Sequence, residues 1–228
     1  MRRKHLHLVV GDANDTGKAT TRVNWQGRII AIQCRAWVWR YQTHNRTHHH
    51  LGFNLWVEGE AGGKEDAFII AVSDKQHLKM QFRIGDRIKG TAWPCIKAKH
   101  EIADFYRAGG LKRLESAEDD PDAKLFPVVG PPPPLAVFAE RGARKLDAKR
   151  WRKSCFTCMW ANKSAVEIEY KFGEIKRYRQ ETFCYGPKFC PLYDMGAPRP
   201  VPYFDSFIPF LDEEWMDENC TSGRGEHD

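Results

Sequence analysis

Residues 27–57 alternate between apolar and polar positions with the period of two that is typical of β-strands. The apolar side of the first predicted strand consists of Ile30, Ile32, Cys34, Ala36 and Val38. A polar turn at 43–47 separates it from a second strand, whose apolar side consists of Leu51, Phe53, Leu55 and Val57. The opposite side of both strands carries aromatic and basic side chains, so the pattern predicts a sheet with two chemically different faces.

Three further strands and one short helix follow in the pattern. The third strand is predicted at 68–72, a helix capped by Ser73 or Asp74 runs to about Phe82, and further strands occupy 84–93 and 101–107. This order resembles the OB-fold, a small five-stranded Greek-key barrel, over residues 25–112. Other small barrels, including SH3-like ones, produce similar periodicity and stay an alternative.

A change in composition divides the chain after this region. Residues 113–134 turn from polar to proline-rich and end in four prolines, which excludes a helix interior or a central strand. We interpret them as a linker between two domains. Residues 1–24 are then an N-terminal segment, 135–204 a basic segment with a zinc-ribbon-like domain and short helices, and 205–228 an acidic tail. The expected fold class is mainly β.

Four of the seven cysteines have the spacing of metal ligands. Cys155 and Cys158 form a CxxC knuckle, and Cys184 and Cys190 form a second, wider one beyond a predicted hairpin. Two knuckles around a hairpin resemble a zinc ribbon, and four thiolates suit a tetrahedral, structural Zn²⁺. An iron–sulfur cluster is the competing cofactor, since Cys190 precedes a proline. Four cysteines without any metal are the remaining alternative.

The net charge of +6 is unevenly distributed. Eight acidic residues against Arg224 alone give residues 205–228 a charge of −7, so the rest of the chain carries +13. A body this basic is attracted to polyanions, although solubility alone also explains such a charge. The acidic tail is a candidate site for a protein partner, or a competitor for the surface that binds the polyanion.

Aromatic and basic residues give candidate nucleic-acid contacts, because aromatic rings stack on unpaired bases while Arg and Lys contact phosphates. The candidates on the outer face of the predicted barrel are Arg35, Trp37, Trp39, Tyr41, Trp56, Lys89 and Trp93. The candidates beside the first cysteine knuckle are Arg144, Lys145, Lys149, Arg150, Arg152 and Lys153. Packing of the aromatic face against the second domain or another protein is the alternative.

These features favour a non-enzymatic protein that binds single-stranded or structured DNA or RNA and contains a structural zinc. The alternative is an adaptor that holds protein partners in a larger assembly. Residues 11–18 resemble a P-loop, but the spacing of their glycines and Ala19 depart from that motif. No catalytic set of residues is evident either. An enzyme is therefore only the third hypothesis. The absence of an apolar span or signal peptide predicts a cytoplasmic protein without membrane contact.

Three short motifs provide one further comparison. They are the CxxC-Met-Trp sequence at 155–160, Glu-Thr-Phe-Cys-Tyr-Gly-Pro at 181–187 and Asp-Glu-Glu-Trp at 212–215. In combination they are similar to uncharacterised bacterial proteins. That resemblance implies no function.

Overall fold

The structure, a computed structural model, describes residues 21–41, 46–96, 100–118, 125–197, 200–201, 210–211, 221–222 and 224. The strands are β1 (Val23–Tyr41), β2 (Thr47–Ala61), β3 (Lys64–Val72), β4 (Arg87–Pro94), β5 (Phe105–Glu115), β6 (Arg144–Lys145), β7 (Ala161–Tyr170), β8 (Ile175–Cys184), β9 (Pro200–Val201) and β10 (Phe210–Leu211). The helices are α1 (Asp74–Met80), α2 (Leu135–Arg141) and α3 (Ala148–Arg150). A π-helical turn (Trp151–Cys155) continues α3, and a 3₁₀ turn (Lys171–Gly173) joins β7 to β8. Residues 1–20, with the P-loop-like segment, and most of the acidic tail lie outside the described residues.

Five strands of the main sheet close into a ring. The sheet has the order β2-β3-β5-β4-β1-β7-β8-β6, and an additional β2–β1 pairing joins the two ends of its first five strands. Within the ring only β3 and β5 are parallel, with Ile70 beside Phe105, and the other pairs are antiparallel. The expectation of a mainly β protein is confirmed.

The start of the fifth strand and the inward-facing side of β1 differ from the sequence prediction. The fifth strand begins at Phe105 rather than at Glu101, because the Glu101 carboxylate accepts hydrogen bonds from the amides of Ile102 and Ala103 and forms a turn there. The interior of the ring contains the side chain of Ile29 in place of the predicted Ile30. A bulge between Ile29 and Ala31 shifts the register of β1 and turns the Ile29 side chain inward, where it is 1% exposed.

The interior of the ring is apolar and includes side chains from all five strands. Buried residues on β1 and β2 include Ile32, Cys34, Phe53, Leu55 and Val57. Burial of this apolar surface is the main source of stability for such a sheet. The alternation in the sequence predicts most of these positions, because inward and outward side chains alternate along each strand.

Strand β1 extends beyond the ring and joins it to the C-terminal part of the chain. Its last residues, Val38–Tyr41, pair in parallel with Val166–Glu169 of β7. The β7–β8 hairpin and the short β6 therefore continue the same sheet. No helix in the described part of the chain is long and apolar enough to cross a membrane.

Hydrogen bonds of polar side chains stabilise the start of α1 and the turn that leads into β4. Ser73 and Gln76 form a capping box at the start of α1, in which Ser73 Oγ accepts from the Gln76 amide at 3.2 Å and Gln76 Oε1 accepts from the Ser73 amide at 2.9 Å. The buried Asp86 carboxylate accepts from the amides of Arg83 at 3.0 Å and Ala117 at 2.9 Å. It also forms an ion pair with Arg113 at 3.1 Å.

Replacing Asp86 tests whether this carboxylate stabilises the ring. Asp86→Ala leaves two buried amides without their acceptor and removes the ion pair with Arg113, so we expect the free energy of unfolding to fall by about 3 kcal/mol. Urea denaturation followed by tryptophan fluorescence measures the change. The matched control is Asp66→Ala, which removes an exposed carboxylate bonded only to its neighbour, the Ala67 amide, and is expected to change stability by less than about 1 kcal/mol. Equal effects of the two substitutions would contradict the role given to Asp86.

Candidate metal centre and candidate nucleic-acid interface

The four predicted zinc ligands line one small cavity. Cys155 ends the π-helical turn, Cys158 follows it, Cys184 ends β8 and Cys190 lies in the loop beyond. All four side chains line the same cavity of about 10 Å³, beside apolar groups that include Leu146. This space corresponds to about one water molecule.

Backbone amides act on two of the four thiols. The Gly186 amide donates to Sγ of Cys184 at 3.3 Å. Burial raises the pKa of Cys158 to about 11, and the backbone amides of Trp160 and Val128 act in the opposite direction. Amides that donate to sulfur stabilise the thiolate, which is the form that binds metals.

Burial and the crowding of thiols favour the protonated form of Cys155 and Cys184 as long as no metal is bound. Burial raises the pKa of Cys155 to about 12, and the neighbouring Cys158, Cys184 and Cys190 add to the increase. Burial also raises the pKa of Cys184. A bound cation reverses this balance, because metal binding displaces the thiol protons.

Two buried arginines lie beside the second knuckle. Arg144 donates to the Pro187 carbonyl oxygen at 2.9 Å, and its guanidinium lies 3.7 Å from the ring centroid of Tyr193. Arg224 donates to the carbonyl oxygen of Gly186 within the knuckle and to that of Gly142, which follows α2. Neither arginine forms an ion pair with a carboxylate in the part of the chain that the structure describes.

The four thiols, in the positions that the structure describes, are not arranged around a common metal position. Among the described residues, no group of three or more His, Cys, Asp or Glu side chains is arranged to hold a metal ion. The shared cavity therefore favours a metal site at the four cysteines, whereas the positions of the four sulfur atoms do not. We give more weight to the cavity, because the backbone determines which residues line it, whereas each sulfur moves by rotation about its Cα–Cβ bond.

Relatives of known function provide no guidance for this chain. No protein-family model, curated protein or solved structure matches it. The chemistry of the described residues is therefore the basis for any assignment of function.

Lys89, one of the predicted nucleic-acid contacts, lies on the outer face of β4 in an open groove. It is directly opposite Lys112 of β5, and both side chains are exposed. Like charges directly opposite each other destabilise a strand pair. Neither lysine forms an ion pair with another described residue, and Glu60 is the acidic residue that lines the groove. The groove therefore has a local excess of positive charge.

Trp93, another predicted contact, lies further along the same face. It is opposite Tyr106 of β5, and both rings are partly exposed. The guanidinium of Arg22 lies 5.6 Å from the centroid of Trp93, and that of Arg107 lies 5.5 Å from the centroid of Tyr106. Aromatic rings beside cations are the combination that binds single-stranded nucleic acid.

The predicted residues on the far half of β1 lie away from this groove. Arg35 forms an ion pair with Glu101, with its Nε 2.7 Å from the carboxylate. Trp37 is 41% exposed and stacks on His49 with ring centroids 5.1 Å apart. Trp39 and Tyr41 are partly buried where β1 meets β7. Trp37 is the most exposed aromatic residue of this set.

Trp56 connects the ring to the cysteine-rich region instead of forming part of an open face. Its ring centroid lies 5.9 Å from that of Trp151 and 5.1 Å from that of Phe156. Both partners belong to the segment that leads through the first knuckle. The sequence left open that the aromatic residues pack against the C-terminal part of the chain. The structure shows such packing for Trp56.

The basic residues beside the first knuckle divide into exposed and enclosed sets. Lys149, Arg152 and Lys153 are exposed, and Arg150 lies 3.5 Å from a carboxylate oxygen of Asp194. Arg144 and Lys145 are buried in β6. Lys145 is only 2% exposed, and its Nζ donates to the Ala197 carbonyl oxygen at 2.6 Å. We therefore omit the two buried cations from the set of nucleic-acid contacts.

Sequence reasoning missed Lys112, Tyr106 and the buried Arg224. Lys112 and Tyr106 become neighbours of Lys89 and Trp93 only through the register of β4 with β5. Alternation alone does not specify a register. For Arg224, the one available signal was that it is the sole cation of the acidic tail.

Tryptophan substitutions distinguish packing residues from exposed ones. We expect Trp56→Ala to lower the free energy of unfolding by about 3 to 5 kcal/mol, because it removes contacts with Trp151 and Phe156. Trp37→Ala removes a largely exposed ring and is expected to cost less than about 1.5 kcal/mol. Chemical denaturation of both variants measures the difference. A larger effect at Trp37 would contradict the assignment.

Proposed function

We propose that this protein binds single-stranded nucleic acid on the outer face formed by β1, β4 and β5. The observation that carries the proposal is the pair of opposed lysines, Lys89 and Lys112, without an ion-pair partner among the described residues. Phosphates of the nucleic acid supply the missing negative charge. Trp93 and Tyr106 provide stacking surfaces for bases beside that groove.

The order of the ring supports an OB-fold as the scaffold. Strands β1, β2 and β3 follow each other, β5 lies between β3 and β4, β4 returns to β1, and α1 stands between β3 and β4 along the chain. OB-folds commonly bind oligonucleotides over their second and third strands. In this chain Trp56 of β2 is covered by Trp151 and Phe156, so the β4–β5 face is the more accessible surface.

We also propose that the four cysteines hold one structural Zn²⁺ in a zinc-ribbon-like region. The shared cavity, the Gly186 amide that donates to Cys184, and the buried arginines near Cys184 support this assignment. Rotation of the thiols toward the cavity would complete a tetrahedral site with no open position for catalysis. A reducing compartment such as the cytoplasm would keep the thiols available.

Titration of labelled single-stranded DNA and RNA at several salt concentrations tests the binding proposal. We expect affinity to fall steeply with salt, and Lys89→Ala/Lys112→Ala to reduce the log–log salt slope by about 1.4, since each lost phosphate contact contributes about 0.7 for single strands. Trp93→Ala is expected to weaken binding by about 1 to 3 kcal/mol. Fluorescence anisotropy measures both effects.

A charge-matched control separates the groove from general electrostatic attraction. Lys75→Ala/Lys79→Ala removes two exposed cations of α1 that do not line the groove, and we expect it to leave the salt slope close to that of the wild type. Equal losses in the two double variants would contradict a defined site. Binding of neither DNA nor RNA by a folded wild type would overturn the proposal and favour the protein-adaptor alternative.

A further inference from the structure

The acidic tail has a basic anchor that is buried against the body of the protein. Arg224 is the sole cation of residues 205–228, and it is only 7% exposed. Thr221, three residues earlier, is also buried, and its carbonyl oxygen accepts from the Arg224 amide at 3.0 Å. The side chain of this single arginine therefore fixes one point of a strongly acidic segment.

The Arg224 guanidinium bridges two separate parts of the chain. It donates to the carbonyl oxygens of Arg141 and Gly142 just after α2, and to that of Gly186 in the second knuckle. A longer contact, at 3.5 Å, reaches the carbonyl oxygen of Cys184. Arg224 therefore lies beside Cys184, one of the four cavity cysteines. The Gly186 amide donates to the Cys184 sulfur.

The electrostatic surroundings of Arg224 are unfavourable unless a negative charge lies nearby. Arg224 and Arg144 are both buried and both donate to the Gly186 carbonyl oxygen, so two guanidinium groups lie close together. Neither Arg144 nor Arg224 has a carboxylate ion-pair partner among the described residues. A buried cation needs a compensating charge. Among the described residues, the four cavity cysteines are the group beside Arg224 that can supply one, by binding a metal ion as thiolates.

Four thiolates around a divalent ion carry a net charge of −2, whereas four thiols carry none. The metal-loaded cluster would therefore compensate the buried arginines. Because opposite charges attract more strongly in a site of low dielectric, this difference is larger here than at the surface. Loading with metal should then strengthen the contact that holds the tail.

We propose that Arg224 is a positioning residue of the metal centre, which couples metal binding to docking of the acidic tail. This inference rests on the zinc assignment made above, and Arg224 itself contacts no metal. Coupling is reciprocal, so a docked Arg224 raises metal affinity by the same factor by which the metal favours docking. Loss of the metal releases a segment with a charge of −7.

Zinc affinity of Arg224 variants tests one direction of the coupling. Arg224→Gln keeps polar donors but removes the charge, and we expect it to weaken zinc binding about 10-fold or more, as outer-shell substitutions commonly do. Arg224→Lys keeps the charge and should restore most of that loss. Arg152→Gln is the matched control, since it removes an exposed cation of the π-helical turn, and it should bind zinc like the wild type. Competition with a chromogenic chelator measures each affinity.

Trypsin tests the reverse direction on the wild-type chain, because Arg224 is itself a cleavage site. Docking should protect the bond after Arg224 in the zinc-loaded protein, and chelation should accelerate release of residues 225–228 at least about 10-fold. Mass spectrometry at early times identifies this cleavage separately from cleavage within the ring strands, which would report general unfolding. This readout needs no variant to fold.

The outcomes separate the coupling from the zinc assignment. A wild type that binds no zinc overturns both. A wild type that binds zinc, with Arg224→Gln equal to wild type in affinity and cleavage after Arg224 unchanged by chelation, overturns the coupling and leaves the zinc assignment standing. Weakened zinc binding in Arg224→Gln, rescue by Arg224→Lys and chelation-dependent cleavage together support it.

Discussion

The pairing of one long strand with partners from both parts of the chain is the constraint on which this structure depends. β1 has 19 residues, pairs with β2 and β4 inside the ring, and pairs with β7 beyond it. Irregularities in its pairing with β2 fall at Ile29/Ala31 and Arg35/Ala36. Bulges of this kind bend and twist a strand. They allow β1 to curve around the core and then continue into the C-terminal hairpin.

This shared strand determines which surfaces stay open. Because β7 extends the sheet next to β1, the cysteine-rich region lies close to β2, where Trp56 packs against Trp151 and Phe156. The β4–β5 side carries Lys89 and Lys112 on an open groove instead. In the functions proposed above, the cysteine-rich region would stabilise the fold and the groove would bind nucleic acid.

Local patterns in the sequence predict local features well. Alternation identifies the core strands, the Ser73 cap begins α1, and the spacing of Cys155, Cys158, Cys184 and Cys190 anticipates that they line one cavity. These features depend on residues close in the chain or on a repeated period.

Features that depend on tertiary packing were beyond the sequence patterns. Alternation shows that Trp56 points away from the ring interior, but not that Trp151 and Phe156 cover it. A dense basic stretch resembles a phosphate-binding surface, yet β6 pairs with β8 and buries Arg144 and Lys145. The buried position of Arg224 could not be predicted from neighbouring residues, since its partners are about 40 and 80 residues away.

The central structural claim is that the four cysteines hold one zinc ion. The most direct test is X-ray absorption at the zinc edge, on protein purified without added metal. The amount of zinc per chain is measured on the same sample. The account predicts one zinc per chain, surrounded by four sulfur atoms at about 2.3 Å. A folded protein without stoichiometric zinc, or a zinc bound mainly by nitrogen or oxygen, would contradict it.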